Sequence, residues 1–331
     1  MANELVSELH EIFPPIEIAL PTRGIFYPTG VLGPNTDPKH IKVGTLGILD
    51  NLKYSDPFML VSGNAMDHLV HHICGDQITL PQELCEIDLE TILLAARRAS
   101  YGPNLKLVHR CVFNKPNSDP TEPCDHENNI MIDLDQFILR YGPIEDESRF
   151  EVLLPRVGQT VFLKPTPYRT SIEVMRNVMA NRRKMNEINE HQDEFIVNPE
   201  MFHKYEDLVM LSTELQIQTL LDCIYAVRTR SGVLVEDPKE IMAWILELPK
   251  SDHDIISKQI QMLTEEFRKI SLIPYECEEC HQINEFNLQM NAEILFLAEA
   301  EDSVAPTTSS APPVKPKNSF RTPSRISRRL P

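Results

Sequence analysis

Long segments with helical periodicity fill most of the chain after residue 168, and they constrain its fold more than any other sequence feature. The clearest segment repeats apolar residues every three or four positions, at Ile256, Ile260, Leu263, Phe267 and Ile270. These side chains form one apolar stripe along a helix, which favours packing against the core or against a partner. Helices are predicted for four segments: Tyr168 to about Asn189, Pro199–Arg230, Asp237–Leu248 and Ser251–Ser271.

Start and stop signals mark several helices. Asp237 is followed by Pro238 and then by Glu240, and an N-cap carboxylate, a first-turn proline and a third-position acid each suit a helix N-terminus. Asp88 is the expected N-cap of an earlier helix, which Gly102 and the following proline end. Two further segments show helical periodicity, Phe58–Val61 and His68–Ile73.

Short apolar runs separated by turn residues predict strands in the rest of the chain. Strand pairs are expected from Leu105–Val112 with Ile130–Leu134, from Phe150–Leu154 with Thr160–Leu163, and within Tyr275–Leu288, and a single strand from Ile41–Leu49. The combination predicts an α+β fold that is mainly helical with short β-hairpins.

Composition divides the chain into two units of similar size and a tail. The N-terminal α+β unit covers residues 1–147 and ends at an acidic break, and the second unit, a hairpin plus helices ending in a strand pair, covers residues 148–298. Residues 299–331 are basic and rich in proline and serine. Because this tail has few large apolar side chains, we expect it to be disordered when unbound and able to order against an acidic partner surface.

The net charge of −17 argues against a nucleic-acid partner, because phosphate binding needs a surplus of lysine and arginine. No apolar run reaches the roughly 20 residues that cross a bilayer, and the N-terminus lacks the pattern of a secretory signal. Seven cysteines, an odd number, fit reduced thiols. We therefore expect a soluble protein with no membrane partner, which stays in the cytoplasm where it is made.

Cys277 and Cys280 have the spacing of a zinc knuckle on a turn between two predicted strands. They supply half of a tetrahedral site, and Cys111, Cys124 and His126, around an earlier strand pair, could supply the rest. The candidate cofactor is therefore one structural zinc ion, with Cys111, Cys124, Cys277 and Cys280 as its ligands. The alternative is a hairpin with two thiols and no metal, and a redox role is disfavoured because redox pairs of this spacing open a helix.

The two cysteine segments also show a weak internal repeat. The stretch that begins at Cys124, CDHENNIMIDL, resembles in outline the stretch CHQINEFNL that begins at Cys280. Each stretch is expected to follow a strand and to lead into a second one.

Three segments together resemble a known family. Leu20–Pro28, LPTRGIFYP, is similar to the opening of T4-type phage baseplate proteins and related phage tail assembly proteins. Asp88–Gly102, which ends in RRASYG, resembles their helix, and a strand and a cysteine-bearing turn follow it. Phe150–Arg169 resembles their G-x-x-V-x-(L/F)-(R/K)-P strand. The chain departs from the family pattern in the wide spacing of its first cysteine pair and in its basic tail.

The resemblance implies a protein of the contractile-tail baseplate hub, or of hub assembly, that acts by binding other hub and tail proteins without catalysis. It would work in the host cytoplasm during assembly, and then either leave as a chaperone or stay in the virion. The candidate partner contacts are the residues of two turns: Pro21, Arg23, Gly24, Phe26, Tyr27, Tyr101 and Gly102. The alternative is that both turns serve only the fold.

Two other classes of function compete with this hypothesis. One is a zinc-ribbon adaptor unrelated to phage. The other is an unrecognised hydrolase that uses His68, His71 and His72, although this cluster lacks the glutamate of a metalloprotease motif. Phosphate loops, dinucleotide fingerprints and nucleophile elbows are absent from the sequence, so we expect neither enzymatic activity nor a small-molecule ligand.

Overall fold

Helices are the main elements of the fold. The computed structural model describes residues 12–114, 123–145, 147–190 and 199–296. Its α-helices, numbered in chain order, are α1 (Ile48–Tyr54), α2 (Pro57–Ser62), α3 (Asn64–Cys74), α4 (Glu86–Tyr101), α5 (Leu134–Arg140), α6 (Tyr168–Glu190), α7 (Pro199–Cys223), α8 (Pro238–Glu247), α9 (Lys250–Ile270) and α10 (Ala292–Phe296). None of these described helices combines the length and the apolar composition needed to cross a membrane.

The strands are short and pair in antiparallel fashion. They are β1 (Ile16–Ile18), β2 (Ile41–Val43), β3 (Asn104–Arg110), β4 (Glu127–Asp133), β5 (Glu151–Leu154), β6 (Gln159–Leu163), β7 (Ile224–Arg228), β8 (Leu234–Val235), β9 (Leu272–Glu276) and β10 (Ile283–Asn287). Strand β1 pairs with β2, β3 with β4 and β9 with β10, while β5, β6, β7 and β8 form one sheet in that order.

These elements confirm the predicted α+β fold with short hairpins. The predicted strand pairs correspond to β3 with β4, β5 with β6, and β9 with β10. The predicted cap of α8 is also confirmed, because the Asp237 carboxylate accepts a hydrogen bond from the Lys239 N–H at 3.0 Å. Local hydrogen-bonding signals in the sequence therefore place these elements correctly.

The helix predicted over Pro199–Arg230 is wrong at its end. Helix α7 ends at Cys223, and the next five residues form β7, in which Val227 lies opposite Val161 of β6. A continuous apolar run is compatible with a buried strand as well as with a helix. The β-branched and aromatic residues at Ile224, Tyr225 and Val227 favour the strand once a neighbouring strand is available.

The strand predicted over Ile41–Leu49 is also shorter than expected. Strand β2 ends at Val43, and α1 begins at Ile48. The Asp50 carboxylate accepts a hydrogen bond from the Gly47 N–H at 2.6 Å. This contact satisfies a backbone donor at the start of α1 and stabilises a helical turn where the alternation of apolar residues indicated a strand.

Helix α4 lies at the centre of the hydrophobic core. Its buried side chains include those of Leu89, Ile92, Leu93, Leu94, Ala95 and Ala96. The core continues from Ile18 to Leu295, so side chains on both sides of the predicted boundary after residue 147 share it. The apolar stripe of α9 packs into this core, with Ile256 and Leu263 fully buried. The boundary itself stays a prediction, and the predicted tail at 299–331 lies outside the described residues.

The carboxylate of Glu90, on α4, makes the stability of the core depend on pH. Burial, reinforced by the nearby Glu86 carboxylate, raises the pKa of Glu90 to about 7, although a hydrogen bond from the Met290 N–H at 3.1 Å opposes the shift. The folded chain therefore holds this proton more tightly than the unfolded chain does. The resulting stabilisation is complete below the ordinary pKa of 4.5 and is lost as the pH rises through 7.

Replacing Glu90 by glutamine is expected to remove the loss of stability that the wild type shows as the pH rises. The variant keeps the oxygen that accepts from Met290 but does not ionise. The wild-type free energy of unfolding should fall by about 2 kcal/mol more than that of Glu90→Gln between pH 5 and pH 8. Urea denaturation at the two pH values measures the difference, with exposed Glu151→Gln as the matched control. Equal pH dependence in wild type and Glu90→Gln would contradict the role given to burial.

Candidate metal centre and motif junction

Four buried cysteines from two hairpins meet at one point. The sulfur atoms of Cys111, Cys124, Cys277 and Cys280 all lie within 4.8 Å of one another. The Cys111 and Cys280 sulfurs are 3.5 Å apart, and those of Cys124 and Cys277 are 3.8 Å apart. These are the four residues that the sequence singles out as candidate ligands, and all of them are free thiols.

The first hairpin, β3 with β4, holds one pair of these cysteines. Cys111 directly follows β3 and donates its N–H to the His126 carbonyl at 2.9 Å. Cys124 precedes β4 and donates its N–H to the Phe113 carbonyl at 2.8 Å. His126, the alternative ligand, is not part of the cluster, and its Nε2 lies 3.8 Å from the Glu278 carboxylate.

The second hairpin, β9 with β10, presents the other pair in the same way. Cys277 directly follows β9 and donates its N–H to the Gln282 carbonyl at 3.0 Å. The tight turn closes where the His281 N–H donates to the Cys277 carbonyl at 2.9 Å. Burial opposes ionisation of the Cys277 thiol, but the backbone N–H groups of Cys280 and Glu279 outweigh it and lower the pKa to about 6.

The internal repeat suggested by the sequence is present in the backbone of the two hairpins. The residue after the second cysteine has a left-handed conformation in both, with φ of 49° at Asp125 and 57° at His281. A buried asparagine stands four positions after that cysteine in both, at Asn128 and Asn284. The two hairpins therefore share the backbone conformation just after the second cysteine and the position of a buried asparagine, although the spacing within each cysteine pair differs.

The two asparagines tie each hairpin to the other. Asn128 accepts a hydrogen bond from the Glu278 N–H at 2.9 Å, and Asn284 accepts one from the Val112 N–H at 3.1 Å. Each donor is the residue after the first cysteine of the opposite hairpin. The Asn284 amide also donates to the Cys111 sulfur at 3.4 Å. Polar groups that orient the sulfur atoms thus surround the cluster on both sides.

A second junction joins the LPTRGIFYP segment to helix α4. The Asp88 carboxylate accepts hydrogen bonds from the Thr22 N–H at 2.9 Å, from the Thr22 hydroxyl and from the Tyr27 hydroxyl at 2.5 Å. The Tyr27 hydroxyl in turn accepts the Cys85 N–H at 2.9 Å. Burial raises the pKa of Asp88 to about 6, against the effect of its hydroxyl and backbone donors.

The N-cap role predicted for Asp88 is wrong. Helix α4 begins at Glu86, with Cys85 at the cap position, and Asp88 is fully buried within the first turn. Its carboxylate is occupied by the LPTRGIFYP segment, 61 to 66 residues earlier in the chain. Two of the motifs that carry the resemblance are therefore in direct contact, through Asp88 and through Thr22, a residue the sequence analysis did not single out.

The structure separates the predicted partner contacts of the first turn into buried and exposed residues. Pro21 and Phe26 are buried, and the centroid of the Phe26 ring lies 5.0 Å from the centroid of the Phe150 ring. Arg23 is exposed and has a φ of 53°. Gly24 has a φ of 71°, and a side chain there would come within 3.1 Å of Leu32. Of these residues, Arg23 is the one whose side chain is available to a partner.

The SYG turn closes helix α4. Gly102, with a φ of 92°, donates its N–H to the Arg98 carbonyl at 2.9 Å. Ser100 accepts the Leu46 N–H at 2.8 Å, which ties the turn to the segment before α1. The Tyr101 ring is 41% exposed and lies 4.1 Å from the Arg97 guanidinium. Tyr101 therefore combines a fixed position with an accessible face.

The three clustered histidines face three different partners. His68 Nε2 lies 2.9 Å from Lys53 Nζ, and His72 Nδ1 lies 2.7 Å from the Asp50 carboxylate. His71 Nδ1 lies 2.6 Å from the Asp67 carbonyl. Their ring nitrogens are thus engaged separately, an arrangement that does not support a shared hydrolytic centre.

Comparison with known proteins gives one family match. The model of a family described as T4 bacteriophage base plate protein matches residues 53–296, which is well over half of the 331 residues. The matched span includes helix α4 and all four clustered cysteines, whereas the LPTRGIFYP segment precedes it. No curated protein and no solved structure gives a match.

Proposed function

The chain belongs to the T4 bacteriophage base plate protein family, and from this premise we propose that it acts in assembly of the baseplate hub by binding other tail proteins without catalysis. The observation that carries the proposal is the match over residues 53–296. Membership makes the chain a phage baseplate protein, with other phage tail or baseplate proteins as its partners. It also removes the alternative of an adaptor unrelated to phage.

Exposed apolar side chains support an interaction role. Helices α1 and α2 follow one another in the chain and expose Ile48, Leu49, Leu52 and Phe58. The Phe58 side chain is 86% exposed and that of Leu52 64%. Because a soluble monomer rarely exposes many large apolar residues together, such surfaces commonly bind other proteins. We assign this α1–α2 surface to a hub protein, together with Arg23 and Tyr101 as polar and aromatic contacts.

Replacing Leu52 and Phe58 together by serine is expected to reduce capture of hub proteins at least about tenfold, because each buried apolar side chain contributes roughly 1.5–3 kcal/mol at an interface. A tagged full-length chain expressed during infection would be used for affinity capture, with hub proteins quantified by mass spectrometry. Leu139→Ser on α5, also exposed, is the matched control. Equal capture by the double variant and the control would remove the α1–α2 surface from the account.

The same infection separates the two roles within hub assembly. A subunit of the baseplate is expected in purified virions at a few copies. An assembly chaperone is expected to capture hub proteins in cell extracts and to be absent from virions. Mass spectrometry of purified particles decides between them, and a chain that neither captures hub proteins nor enters particles would contradict the proposal itself.

A further inference from the structure

We propose that Cys111, Cys124, Cys277 and Cys280 bind one Zn²⁺ ion, which joins the two hairpins as a structural centre. The inference is independent of the partner proteins proposed above. It rests on the distances between the four sulfur atoms, on the burial of the cysteines, and on the left-handed residue and the buried asparagine that follow the second cysteine in both hairpins.

The sulfur–sulfur distances fit one tetrahedral ion. A zinc–sulfur bond of about 2.3 Å places the sulfurs of a tetrahedral site about 3.8 Å apart. The observed 3.5 Å and 3.8 Å separations match this value, and the remaining pairs lie within 4.8 Å. A disulfide needs about 2.05 Å, so these pairs are not oxidised. An iron–sulfur cluster places several atoms between its cysteine ligands. The four sulfur atoms here lie too close together for that and leave space for one ion.

The chemistry of the donors selects zinc. Four thiols are soft ligands, and a tetrahedral set of four sulfurs is typical of structural zinc. All four cysteines are buried, with Cys277 fully so, which leaves no position open for water or substrate. The site is therefore closed, as structural zinc centres are. Asn128 and Asn284 supply the outer hydrogen bonds that orient the ligands.

The ion would connect parts of the chain that are far apart in sequence. Cys111 and Cys280 are separated by 169 residues, and Cys124 and Cys277 by 153. Strand β10 leads directly into Leu288, Met290 and Leu295, whose side chains are buried in the core. The Met290 N–H also donates to Glu90 on α4. Zinc at the hairpin tips would thus fix the segment that completes the core around α4.

The test is a metal analysis of the purified full-length chain. We expect about one zinc per chain in the wild type and little in Cys277→Ser, because a closed four-thiolate site loses most of its zinc affinity when one of its thiolates is removed. Cys223→Ser is the matched control, since Cys223 is a buried cysteine outside the cluster, and it should keep its zinc. After exchange with Co²⁺, the wild type should show the intense visible bands of tetrahedral cobalt with thiolate-to-metal charge transfer.

Three results would overturn the proposal: a wild type without zinc, zinc retained by Cys277→Ser, or about one iron per chain in place of zinc. The cobalt spectrum keeps the test decisive if Cys277→Ser fails to fold, because it is recorded on the wild-type chain. An octahedral spectrum without charge transfer would show that the four thiols do not bind the metal.

Discussion

Removal of the metal from the four-cysteine centre is expected to lower the free energy of unfolding by about 4 kcal/mol when free zinc is about a thousandfold above its dissociation constant. The proposed zinc ion would bind only the folded arrangement, because the two hairpins bring together cysteines more than 150 residues apart. Denaturation of the zinc-loaded chain with and without a chelator measures the loss. Hydrogen exchange should show the largest loss of protection in β9, β10 and residues 288–296.

The Cys277→Ser variant is the control for this prediction. It should resemble the chelated wild type and should not respond to chelator, whereas Cys223→Ser should respond as the wild type does. A wild-type unfolding transition that is unchanged by chelator would show that no metal stabilises the fold.

Replacing Asp88 by alanine is the second change with a large expected effect, a loss of about 3–5 kcal/mol in the free energy of unfolding. The alanine leaves the Thr22 N–H, the Thr22 hydroxyl and the Tyr27 hydroxyl without their acceptor in a buried site. Each of these donors then stays buried without a hydrogen-bond acceptor, and its desolvation is no longer compensated. The LPTRGIFYP segment should consequently separate from α4, which limited proteolysis near residue 24 would detect.

Asp133 provides the matched control for Asp88. It is an exposed N-cap on α5 and accepts hydrogen bonds from the Asp135 and Gln136 N–H groups at 3.0 and 3.2 Å. Asp133→Ala should cost about 1 kcal/mol, as N-cap substitutions commonly do. Asp88→Asn, which keeps one oxygen acceptor, should lie between the two alanine variants. Similar losses for Asp88→Ala and Asp133→Ala would show that the buried junction adds nothing beyond a helix cap.

Elements whose hydrogen bonds are local could be predicted from the sequence. The start of α8 depends on Asp237 and Pro238, and the hairpin of β5 and β6 depends on a turn that ends at Gly158. By contrast, β7 could not be separated from α7, because the run from Cys223 to Val227 is apolar throughout and no glycine or proline separates it from α7. Its conformation is decided by pairing with β6, a contact between residues more than 60 positions apart.

In the candidate site, too, some features could be predicted from the sequence and others depend on contacts between distant residues. Cysteine spacing and the likeness of two segments were enough to select Cys111, Cys124, Cys277 and Cys280 as one ligand set. The role of Asp88 could not be inferred in this way, because a carboxylate at the start of a helix is typical of a cap and its partners Thr22 and Tyr27 are distant in sequence. The exposure of Phe58 likewise depends on the tertiary arrangement around α2.

The most direct test of the proposed role is electron microscopy of particles made by a phage whose gene for this chain has been deleted. We expect filled heads that lack complete baseplates, and we expect the wild-type chain supplied from a plasmid to restore the baseplates. Particles with intact baseplates and normal infectivity in the absence of the chain would contradict a role in baseplate assembly.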